Sequence, residues 1–75
     1  MKEITLEYCN ELMEKFNKYK ETAGQHEFPL LLAFDMLLVP VHRDLNRNYN
    51  QEHAKAFVRG MKDSVFPKLN IPWED

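Results

Sequence analysis

The chain has a single cysteine, Cys9, so no disulfide can staple it internally. A domain of 75 residues without such a staple has a marginal core. It buries only about 60% of the surface that its unfolded chain exposes. A lone thiol fits a reducing, cytoplasmic setting. Glycine is scarce too, at two residues, and no glycine-rich loop of the phosphate-cradling kind is present. Charge of one sign is also lacking. Ten Lys and Arg against twelve Asp and Glu leave a net charge of −2, which predicts no strong attraction to nucleic acid or anionic lipid. There is no long hydrophobic run. The most apolar stretch, Pro29 to Val41, is interrupted by Asp35 and is shorter than the roughly 20 apolar residues of a bilayer span, so no membrane helix is expected. Met1 to Glu7 has no apolar core, so no signal peptide is expected, and no targeting or lipidation motif is visible.

What is present has a globular composition, 44% hydrophobic and 29% charged. The expectation is one all-α domain over residues 1–75, a three-helix bundle with a Pro-kinked second helix and a folded-back C-terminal tail. The first block runs from about Thr5 to Thr22, with Thr5 as cap and Glu7 in the first turn. Tyr8, Cys9, Leu12, Met13, Phe16 and Tyr19 repeat at the spacing of one buried helix face. Gly24 is a candidate stop. The second block starts near Pro29, is apolar all round, and continues with a kink at Pro40 towards Asn46. Leu31, Phe34 and Leu38 are expected in the core. Asn50 caps a third block, Gln51 to about Pro67, whose stripe is Ala54, Phe57, Val58, Met61 and Val65. Gly60 weakens this helix or lets another backbone approach it. Leu69, Ile71 and Trp73 follow, and should fold back over the bundle.

Few constellations suggest chemistry. His42-Arg43-Asp44-Leu45 looks like the opening of a kinase catalytic loop, but the asparagine that loop requires is replaced by Tyr49, and the other kinase elements are missing. His26, His42, His53 and Cys9 are scattered over the blocks instead of paired at the close spacing of zinc ligands. Cys9 lies on the apolar face between Glu7 and Glu11, surroundings that suit an inert core thiol better than a nucleophile. No catalytic residue, cofactor or metal is therefore expected.

Asp35 interrupts an otherwise apolar helix and needs either a partner or a solvent-facing position. Arg43, Arg47, Arg59 or a group on a second subunit are the candidate partners. Charge is uneven along the chain. Residues 1–38 carry four basic and seven acidic side chains, and residues 39–75 carry six and five. Lys55, Arg59 and Lys62 fall at i, i+4, i+7 on the third block, a stripe that could meet phosphates, with Glu52 and Asp63 close by.

Gln51-Glu52-His53, followed by Phe57, Arg59 and Met61, resembles a segment of the theta-subunit family of bacterial DNA polymerase III, small three-helix accessory proteins. The resemblance covers little beyond those residues, the remainder aligns only with gaps, and no functional residue is carried over from it.

The expected function is non-enzymatic: a small accessory, regulatory or inhibitor subunit that binds another protein, of a kind that suits a phage or mobile-element product. The apolar excess of the second block predicts a homodimer. The candidate partner-binding residues are Asp35, His42, Arg43 and Arg47 on the second block, with Lys55, Arg59 and Lys62 on the third. The alternative is a nucleic-acid-binding regulator that uses the third block, with weak binding expected.

Overall fold

Thr5 is extended, and its hydroxyl accepts a hydrogen bond from the Tyr8 amide at 3.1 Å. That bond satisfies one of the free amides at a helix start, so α1 (Leu6–Thr22) begins where the sequence placed it. The computed structural model describes residues 3–73. After one 3-10 turn, Gln25–Glu27, the chain enters α2 (Phe28–Arg47). Asn50 caps α3 (Gln51–Gly60) through a 3.1 Å bond from the His53 amide. The helical path continues through a π turn, Met61–Val65, into a final short turn, α4 (Phe66–Lys68). No strand occurs among the described residues. The molecule is a three-helix bundle in which α1, α2 and α3 each touch the other two.

The core takes one face from each helix. Cys9, Leu12 and Phe16 come from α1, Leu31, Phe34, Leu38 and Leu45 from α2, and Ala54, Phe57 and Val58 from α3. The α1 and α3 faces follow the sequence spacing, because on both helices the apolar residues are confined to one side. On α2 they are not, and the core takes only the side that carries Leu31, Phe34, Leu38 and Leu45.

Two helix details differ from the sequence reading. Gly24 is not a left-handed stop. Its backbone is extended, at φ −74° and ψ 166°, and α1 ends one residue earlier at extended Ala23. The third block is not a uniform α-helix, because the Phe66 amide bonds to the Met61 carbonyl five residues back. Pro67 accounts for the wide turn. It has no amide hydrogen, and in a regular α turn its ring would press on the Asp63 carbonyl. The extra residue absorbed by the π turn also swings Phe66 and Leu69 inward beside Val65, and all three are buried.

Pro40 lies inside α2, which continues past it to Arg47. The proline removes the donor that the Met36 carbonyl would use. Met36 and Pro40 are both on the exposed side, where water can take that bond.

The tail folds back as expected. Asn70 adopts a left-handed conformation, φ 58°, and the amides of Asn70 and Ile71 bond back to the carbonyls of Pro67 and Phe66. This is a Schellman closure with asparagine in the place glycine usually takes. Leu69 is buried, and Trp73 packs edge-on against Phe66 with ring centroids 5.2 Å apart.

Candidate functional site

The outer side of α2 is apolar and uncovered. Phe28, Leu32, Met36, Leu37 and Val41 are all exposed, with Met36 at 70% and Leu37 at 68%. Pro29, Ala33 and Pro40 between them are exposed as well. From Phe28 to Val41 no charged side chain is fully exposed on α2, and only Asp35 is half-buried there. Each large apolar side chain left in water forgoes roughly 1.5–3 kcal/mol of burial. The chain does not recover this itself, because α1 and α3 pack against the opposite side of α2 and nothing among the described residues covers the outer one. A helix that is apolar all round is therefore covered by the fold on one side only.

Beside this face, between α2 and α3, runs a groove of about 570 Å³. Leu37 and Val41 form its α2 wall, and Ala56 and Gly60 of α3 with Ser64 of the π turn form the wall opposite. Buried Phe34, Leu38 and Phe57 lie along its floor. Because residues 48–50 turn the chain back on itself, Asp44 and His53 sit at the end near that turn, and Ser64 lies towards the other. Asp44 is the one acidic side chain in the lining.

Asp35 is half-buried, and its carboxylate takes a 2.7 Å ion pair from Lys20 of α1. The expected arginine partners, Arg43, Arg47 and Arg59, do not supply this bond. Lys20 reaches across because the register of α1 and α2 sets the two side chains opposite each other, and its ammonium also lies 5.7 Å from the centre of the Phe16 ring.

His42 is half-buried at the junction of three helices. Its Nε2 and the Asn10 Oδ1 are 2.7 Å apart, and Asn46 Nδ2 donates to the same oxygen at 3.1 Å and to the His42 carbonyl at 3.0 Å. A proton on Nε2 lets Asn10 accept both bonds. The imidazole stacks over Phe57 of α3 at 6.4 Å. Burial pushes the His42 pKa below the ordinary histidine value. These contacts commit His42 to joining the helices.

Arg43 and Arg47 are exposed near the end of α2. Lys55, Arg59 and Lys62 are exposed on the third block, and none of them lines the groove. Glu52 and Asp63 are exposed too. The π turn begins between Arg59 and Lys62, so the i+7 register of that stripe does not carry over unchanged.

The Cys9 thiol is fully buried, and burial pushes its pKa up, away from the reactive thiolate. The Tyr19 hydroxyl donates to the Glu27 carboxylate, and that bond raises its pKa, with desolvation adding to the shift. Among the described residues no three His, Cys, Asp or Glu side chains come together as a metal site would require. No helix among them is long and apolar enough to cross a membrane.

The groove was the part that sequence reasoning missed. Ala56 and Gly60 are small residues spaced by four and so share one side of α3, but Ser64 joins them only through the π turn, which the sequence does not show. No family model, curated protein or solved structure matches this chain, so the resemblance over Gln51 to Met61 is carried no further.

Proposed function

We propose that this protein works by docking to a protein partner through the outer face of α2 and the adjoining groove, as a small cytoplasmic accessory, regulatory or inhibitor subunit without chemistry of its own. One observation carries this reading: all eight exposed positions of α2 from Phe28 to Val41 are apolar. A folded monomer seldom keeps such a patch unless something binds it. The groove beside it adds the shape that a surface for protein recognition has, an apolar trough with polar groups at its ends. The residues first singled out contribute differently. Asp35 and His42 hold the helices in register, so they support the face without forming it. Arg43, Arg47 and Asp44 stand at its C-terminal edge, where charged rim residues steer association.

The test compares the wild type with Leu37→Glu and Lys18→Glu in pull-downs from native lysate across a salt series. A partner retained by the wild type and by Lys18→Glu, and lost with Leu37→Glu, supports the reading. Capture that ignores Leu37→Glu contradicts it.

A further inference from the structure

We propose that the docking face is self-complementary and that a second copy of this chain covers it. The result would be a two-fold dimer in which Leu37 and Val41 of each copy seat in the hollow beside Gly60 of the other. This rests on the docking reading above and names the partner.

Gly60 is the first reason. Its backbone, φ −61° and ψ −42°, is ordinary helix that any residue adopts. A Cβ placed there would meet nothing within 4 Å. Neither conformation nor packing within the chain calls for glycine, and glycine weakens a helix relative to alanine. Together with Ala56 and Ser64 it leaves a shallow wall, open for another surface to approach. Directly across the groove stand Leu37 and Val41, which project into solvent. A ridge and a hollow side by side on one surface are what a two-fold axis needs, since the same patch then meets itself.

Charge favours like against like. The outer face of α2 has no fully exposed charge between Phe28 and Val41, so two copies meet there without repulsion, while a highly charged partner finds nothing to pair with. Asp44 sits at one end of the groove and Ser64 towards the other. An antiparallel two-fold arrangement brings each Asp44 near Ser64 of the second copy and keeps the two carboxylates apart.

The area fits a weak dimer. The strip from Phe28 to Val41 is about 21 Å long and two helices wide, which falls at the small end of specific interfaces and suits association in the micromolar range.

Light scattering and sedimentation of the full chain, from low to high micromolar, test this. Twice the 9.0 kDa chain mass is expected for the wild type and for Lys18→Glu. Leu37→Glu and Gly60→Leu should each weaken association by about tenfold or more. Circular dichroism should show native helicity for both, since both positions face open space. A wild-type monomer at every concentration overturns the dimer, and so does a dimer indifferent to both substitutions. A monomer that still captures another protein through Leu37 overturns the dimer alone. A monomer whose captures ignore Leu37→Glu overturns the docking reading as well.

Discussion

His42 of α2 and Asn10 of α1 meet at 2.7 Å, and the same imidazole lies over Phe57 of α3, so one side chain ties all three helices together. Its burial has a consequence for pH. The folded-state pKa of His42 lies below the ordinary value of 6.5, so between the two values the unfolded chain binds more protons than the folded one. The stability that His42 contributes is fully present above pH 6.5 and is lost as pH falls towards and through the folded pKa. Melting curves from about pH 7 to about pH 5 should therefore fall more steeply for the wild type than for His42→Gln, which does not titrate. Parallel curves would show that His42 is not desolvated.

Phe34 is 9% exposed and lies between the core and the groove. Phe34→Ala should cost about 3–5 kcal/mol. That is close to the whole stability of a small domain. A urea titration showing a loss under about 1 kcal/mol would mean that the groove floor is not packed as described.

Much of this was readable in the sequence, for reasons that differ by element. The faces of α1 and α3 were legible because a polar side opposes each one. The start of α2 was legible from Pro29, and the tail from its two prolines and its apolar residues. The π turn was not. Whether Phe66 turns inward depends on an i+5 bond, and α-helical periodicity carries no mark of that bond. The Lys20–Asp35 and Asn10–His42 contacts were hidden for another reason. They join residues 15 and 32 positions apart, and only the helix register sets them opposite each other. The groove was hidden in a third way. An all-apolar helix announces that it needs cover, without showing which side the chain itself will cover.

Gly60 allows a clean test of the open hollow. Gly60→Ala, made in the Leu37→Glu background where docking is removed, should raise stability by about 0.5–1 kcal/mol through helix propensity alone. A loss in the same urea titration would mean that the space beside Gly60 is occupied within the chain.

The exposed stripe of Lys55, Arg59 and Lys62 should bind duplex DNA at micromolar strength or weaker, with binding that disappears as salt rises. Specific modules hold their sites at about 10⁻⁸ M or tighter at physiological salt. Fluorescence anisotropy checks this. Tight binding lost in Lys55→Ala and Arg59→Ala would move the function to α3.

The central claim, that the outer face of α2 is where this protein meets its partner, is tested most directly by photo-crosslinking in cells, with a benzophenone amino acid at position 37 and, as a control, at position 18 of α1. One discrete adduct is expected from position 37 and none from position 18. The adduct mass will equal two chains if the partner is a second copy. No adduct from position 37, or the same adduct from both positions, would contradict the claim.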